Sequence, residues 1–194
     1  MARPTKRRDN RLIDAIEAIP PTPYSGNVWR VVREGRDPLD CSRSGGRWDD
    51  GSFDVLYTSL EREGALAEMY FHLKRGQPIF PTRVRYELYE LALAMDATLK
   101  LLNLEDLARL GVASEGYGRL SYQEKAAEYP RTQDIAEVAH FLEFDGLLVP
   151  SARWNCLNAV VFCERNPPDQ REVLASHGLI DWTGWEKTAS GNLS

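Results

Sequence analysis

Between Cys156 and Cys163 the chain reads C-L-N-A-V-V-F-C. A strand with one solvated face alternates apolar and polar residues, and this run does not. It predicts a central strand buried on both sides. The rest of the chain must then supply a sheet around it and layers over it. Asn158, inside the run, must find hydrogen-bond partners; most asparagines so placed are structural.

The stretch from Gly45 to His72 carries the candidate chemistry: G-G-R-W-D-D-G-S-F-D-V-L-Y-T-S-L-E-R-E-G-A-L-A-E-M-Y-F-H. It reads as a glycine-tight loop, a strand over Phe53–Ser59 and a helix over about Leu60–Arg75, with Ser59 as N-cap. Glycines before Arg47 let backbone approach a ligand. Arg47, Tyr57 and Glu68 then sit on loop, strand and helix, as the floor of a nucleotide pocket. Leu66, Met69, Tyr70 and Leu73 form the core stripe of the helix. Glu68 falls at its margin, either looking into a cleft or solvated and paired with His72 four residues on.

The flanking segments place these residues in a mixed fold. Asn10 caps a short helix, Arg11–Ile19, and Pro20, Pro21 and Pro23 make a stiff connector. Asn27–Arg33 is a strand with Trp29 and Val31 on one face and Val28, Arg30 and Val32 on the other. Arg30 is either an edge arginine reaching water or one reaching a phosphate. Thr82–Leu88 alternates as a half-buried strand, ahead of a less regular Glu90–Leu102 with a second strand near Leu99–Leu102. Asn103 caps a helix over Leu104–Leu110. Ala113–Arg119 is a glycine-rich loop of the kind that covers a site. Two helices follow: one capped by Ser121 and running through Glu128, and Thr132–Phe144 beyond Pro130. From Glu164 onward the chain reads as a polar tail whose Trp182 and Trp185 dock on the domain or on a partner.

Composition excludes several classes. The 194 residues suit one domain, 1–194, with a core over about 24–165, an N-terminal arm and helix over 1–23 and a C-terminal tail over 166–194. A net charge of −5 gives no general pull toward nucleic acid or an anionic membrane. No apolar stretch is long enough to span a bilayer. Three cysteines without a signal peptide argue for a reducing cytoplasm rather than a disulfide framework. No Cys/His spacing matches a metal site.

The segments W-R-V, G-G-R-W with a tyrosine on the next strand, A-L-A-E on the following helix, and V-P-S-A-R before a strand ending A-V-V-F together resemble the RES domain family, from about Trp29 to Phe162. On that pattern the family's Arg, Glu and Ser are Arg47, Glu68 and Ser151, and Tyr57 matches its tyrosine. The resemblance implies an α+β fold like that of the ADP-ribosyltransferases, with small antiparallel or mixed sheets around an NAD+ cleft and flanking helices. It implies a cytoplasmic toxin that cleaves NAD+ without a metal, by phosphorolysis or hydrolysis. An antitoxin protein would block the cleft, in a complex that allows a homodimer. Two alternatives stand: an ADP-ribosyltransferase marking a metabolic enzyme such as phosphoribosyl pyrophosphate synthetase, and a non-catalytic binding module.

In such an enzyme Glu68 would stabilise the oxocarbenium-like centre and hold the 2′-hydroxyl. Arg47, with Arg30 sharing the role, would grip the pyrophosphate or the adjacent ribose. Tyr57 would stack on the nicotinamide ring. Ser151 would hydrogen-bond the nicotinamide amide or its ribose, or be only the loop residue after Pro150.

Overall fold

The computed structural model describes residues 8–74, 84–118 and 125–189. In chain order the elements are α1 (Asn10–Glu17), β1 (Thr22–Arg33), β2 (Val55–Ser59), α2 (Arg62–Lys74), β3 (Tyr86–Lys100), α3 (Leu104–Arg109), α4 (Lys125–Phe141), β4 (Gly146–Pro150), β5 (Leu157–Phe162), β6 (Arg171–Leu179) and α5 (Trp182–Ala189). Short 3₁₀ turns occupy Ser114–Gly116 and Pro168–Gln170.

The six strands form one sheet in the order β1-β2-β5-β4-β3-β6, and β1 also pairs with β3. The sheet therefore closes on itself as a five-stranded barrel, with β6 added along the first half of β3. The pairing is antiparallel except between β3 and β4. This is an α+β fold, but with one closed sheet where several small sheets were expected. Closure gives the chain a barrel interior and leaves β6 as the sheet's edge strand. Val28, Leu56, Leu91, Leu93, Leu148 and Val161 fill that interior. Outside it, α1 and α4 cover β2, β4 and β5 through Leu12, Ile16, Ile135, Val138, Val160 and Phe162. α2 and α5 cover β1 and β3 through Leu66, Val31, Leu88 and Trp185.

β5 lies between β2 and β4, as its composition predicts. Ala159 and Val161 point into the barrel and Val160 and Phe162 point to α4, so both faces are apolar.

Other segments differ from expectation. Tyr86–Lys100 is one continuous strand, because β1 pairs along one edge while β6 and then β4 pair along the other. Its Glu, Leu and Ala residues have little strand preference of their own; pairing overrides them. β1 begins at Thr22 and runs through Pro23. The cap of α1 is Asp9, whose carboxylate accepts from the Arg11 N–H. α4 continues through Pro130 rather than breaking there. Ser121, expected to cap a separate helix, lies outside the described residues, as do Gly76–Pro78, expected to stop α2.

The segment read as a tail is woven into the fold: β6 extends the sheet and α5 packs on α2. Trp185 is buried and donates from Nε1 to Glu63 at 2.6 Å. Nor are the cysteines all free. Cys41 and Cys163 form a disulfide across a separation of 122 residues, tying the β1–β2 loop to the end of β5. A count of three cysteines does not reveal that two of them meet in space. No described helix is long and apolar enough to cross a membrane.

Candidate active site

β1 and β2 pair at a single position, Trp29 with Ser59. Beyond it the strands diverge, and a cavity of about 350 Å³ opens between Trp29–Val31 and Tyr57–Ser59. Its volume lies at the lower end of the range for small-molecule sites. The β1–β2 loop forms one wall and α2 the other.

The loop wall is built around Asp49, which is fully buried. Its Oδ1 accepts from the Gly45 N–H at 2.8 Å and the Gly51 N–H at 3.2 Å. Its Oδ2 accepts from the Gly46 N–H at 2.8 Å and the Tyr57 hydroxyl at 3.0 Å. Both glycines are required. Gly45 has φ +68°, and a Cβ on Gly46 would stand 2.7 Å from the Tyr57 oxygen. The Tyr57 oxygen also accepts from the Trp48 N–H at 3.0 Å. Burial first, and the Asp49 charge second, push the Tyr57 phenol well above its ordinary pKa, so it stays neutral. From the other side α4 grips the loop: Thr132 Oγ1 donates to the Arg47 carbonyl at 2.6 Å, and Gln133 Nε2 to the Gly46 and Asp49 carbonyls at 2.8 and 3.0 Å. Arg47 leaves this scaffold with its guanidinium 4.7 Å from the Tyr117 ring centre and 5.0 Å from that of Tyr129. Rings on a guanidinium fix its plane and attract its charge.

The helical wall presents Glu68, which is half-buried. Its Oε1 accepts from Ser151 Oγ at 2.8 Å and from Asn158 Nδ2 at 3.1 Å. Ser151 Oγ in turn accepts from the Arg153 and Trp154 N–H groups at 3.1 and 3.3 Å, so its own proton is committed to Glu68. Among the described residues the Glu68 carboxylate is held by these two bonds from the β4–β5 side. Tyr117 bridges the walls: its hydroxyl donates to the Pro150 carbonyl at 2.8 Å while its ring meets Arg47. Burial raises the Tyr117 pKa, opposed by Arg47 and assisted by Glu68. Arg153 closes the rim. It hydrogen-bonds the Gly118 carbonyl, and its guanidinium lies 3.2 Å from the centre of the Phe71 ring.

Arg47, Tyr57 and Glu68 thus line one cavity. Ser151 is not among the residues lining it; it stands behind Glu68. Arg30 borders the cavity, but its guanidinium is committed elsewhere. Nη1 donates to the Pro38 carbonyl at 2.5 Å. Burial lowers the Arg30 pKa to about 10, against the pull of Asp40 and Asp37. Through the Pro38 contact it braces the β1–β2 loop. Sequence reasoning passed over Asp49, Tyr117, Tyr129 and Arg153. For Asp49 a signal was present, since an Asp shortly after a glycine pair commonly folds back onto loop N–H groups. The two tyrosines carry no local signal, because only the packing of α4 and the 113–118 loop brings them to Arg47. Among the described residues no cluster of three or more His, Cys, Asp or Glu side chains could hold a metal ion.

The family model described as the RES domain matches residues 27–183, and the chain belongs to that family. The match takes in β6 and reaches the start of α5, beyond the limit read from the sequence motifs. No curated protein matches the sequence. Among solved structures, a chain of the M. tuberculosis MbcT–MbcA toxin–antitoxin complex superposes with a TM-score of 0.75 at 21% identity. The likeness covers 92% of this chain and 97% of that one. At that identity it is a likeness of fold.

Proposed function

We propose that this protein is the toxin of a toxin–antitoxin pair and cleaves the bond between nicotinamide and ribose in NAD+, passing the ADP-ribosyl group to inorganic phosphate or water. The observation that supports this best is Glu68. One carboxylate oxygen is fixed to the wall by Ser151 and Asn158, while the residue borders a cavity that also holds Arg47. In the reaction the C1′–N bond breaks and its electron pair leaves with neutral nicotinamide. Positive charge builds on the ribose ring, where a fixed carboxylate stabilises it most. The acceptor oxygen then forms the new bond to C1′ and gives up its proton. Arg47, with its guanidinium beside the Tyr117 and Tyr129 rings, would supply a bidentate grip on a pyrophosphate oxygen pair. The Tyr57 ring lines the cavity and can stack on nicotinamide, while its hydroxyl keeps the Gly45–Arg47 loop in shape.

The proposed partner is an antitoxin protein covering the cleft, as the fold-neighbour's complex suggests by analogy. Its place of action is the cytoplasm, where NAD+ is available. NMR of purified protein with NAD+, with and without phosphate, tests the reading. Nicotinamide release by the wild type and not by Glu68→Gln is the expected result, and its dependence on phosphate names the acceptor. If release needs cell extract and one protein band becomes labelled, the enzyme is an ADP-ribosyltransferase. No release and no labelling would leave a binding module.

A further inference from the structure

We propose that Asn158 is a positioning residue for Glu68: with Ser151 it selects which carboxylate oxygen meets the substrate. The proposal rests on Glu68 being the catalytic carboxylate.

Asn158 is the second residue of β5, its Cα opposite Ser59 at the end of β2 and Val149 near the end of β4. The next four residues of β5 are fully buried and none is charged or amide-bearing. An amide here is costly, and the cost is visible. Among the described residues Asn158 Oδ1 is buried and has no hydrogen-bond partner. An unpaired buried carbonyl is unfavourable, and an apolar side chain of similar shape would avoid it. The amide cannot turn over to relieve it. A carboxylate only accepts, so Nδ2 must face Glu68, and the reverse orientation would set oxygen against oxygen. Asn158 is therefore explained by its Nδ2 bond.

That bond and the one from Ser151 converge on the same oxygen, Oε1. Two donors on one atom, from β5 and from the β4–β5 loop, fix the direction of the carboxylate and the rotation of its plane. No hydrogen bond to Oε2 occurs among the described residues, which leaves that oxygen for a ligand in the cavity. Ser151 alone would leave the plane free to turn about one bond. Asn158 supplies the second point of attachment, and from a rigid central strand rather than a loop.

Asn158→Leu tests this in the full-length protein. It is expected to slow nicotinamide release from NAD+ by about 10- to 100-fold in kcat with KM nearly unchanged, since small misplacement of a catalytic group costs rate on that scale. An unchanged kcat, or a loss carried by KM, would overturn the proposal. Asn158→Asp, which keeps the shape, covers the case in which the leucine variant does not fold. It sets a second carboxylate against Glu68, and the pair must share a proton. The acid limb of its pH–rate profile should move up by about one pH unit or more; an unmoved limb would count against positioning. If the wild type does not consume NAD+ at all, the proposed function fails, and the contact is read by NMR instead. The side-chain NH2 resonances of Asn158 should then shift with pH in the wild type and not in Glu68→Gln. Resonances that ignore Glu68 would refute the positioning role as well.

Discussion

Arg47 and Glu68 line the same cavity but are fixed by opposite means. Arg47 is placed by its backbone. A buried carboxylate gathers the N–H groups of Gly45, Gly46 and Gly51, α4 holds the carbonyls, and the guanidinium lies near the Tyr117 and Tyr129 rings. Glu68 sits on an ordinary helix, and its side chain is held atom by atom through Oε1. The first arrangement is a folded scaffold whose loss is a loss of structure. The second is a local orientation whose loss, on the proposed function, is a loss of rate. Mutations in the two walls should therefore separate stability from rate.

The largest effect is expected at Asp49. Asp49→Ala strands buried donors of the loop and the Tyr57 hydroxyl, and should lower the unfolding free energy by about 4 kcal/mol. Urea titration measures it, and a loss below about 1 kcal/mol would show that the loop is held without its carboxylate. Next is the disulfide on the same wall. Reduction of Cys41–Cys163, which closes a long loop, should cost about 3 kcal/mol in stability. It should leave affinity for NAD+ nearly unchanged, because Asp49 and α4 still hold Arg47. A large rise in KM on reduction would mean that the bridge, and not the carboxylate, sets the loop.

Glu68→Gln should behave in the reverse way. Nicotinamide release should fall on the order of 10²-fold or more, equivalent to about 2.7 kcal/mol in the barrier. The melting temperature should hardly move, since the amide oxygen can still accept from Ser151 and Asn158. A variant that melts early would erase the contrast between the walls. Gly46→Ala comes next, with a Cβ forced against the Tyr57 oxygen. It should cost about 1–2 kcal/mol, and KM should rise more than kcat falls.

The smallest effect is a pH dependence confined to the loop side. His140 stacks on Phe53 with ring centres 4.6 Å apart and meets Phe162 edge-on at 5.5 Å. Burial, then Arg165, hold its pKa below the ordinary 6.5, with Glu164 opposing. The unfolded chain thus binds the proton more readily. This favours the folded state fully above about pH 6.5 and less as pH falls below it. Melting curves between about pH 7 and about pH 5 should show the decline, and His140→Phe should flatten it. An unchanged slope would assign the decline to other groups.

Much of the cavity was legible in local sequence. The glycine pair before Arg47, the tyrosine on the next strand and the glutamate at the margin of the next helix follow one another closely enough for loop, strand and helix signals to order them. Ser151 was reached through a family motif; in the fold its hydroxyl donates to Glu68 Oε1, a partner the motif does not name. Asn158 was noticed as a polar residue in an apolar strand, but nothing local says which atom it meets. Tyr117 and Tyr129 were missed because they come from segments remote in sequence that meet Arg47 only after folding.

By itself the sequence determined the class of elements, the buried status of β5, the cap at Asn103 and the order of Arg47, Tyr57 and Glu68. These follow from periodicity, turn chemistry and caps, which act over a few residues. Only the tertiary structure decided the closure of the barrel, the strand state of Tyr86–Lys100, the place of β6 and α5 and the meeting of Cys41 with Cys163. It also decided the split between β1 and β2 in which the cavity lies. Each of these depends on pairing or packing between distant segments, whose free energy outweighs local preference and leaves little trace in local sequence.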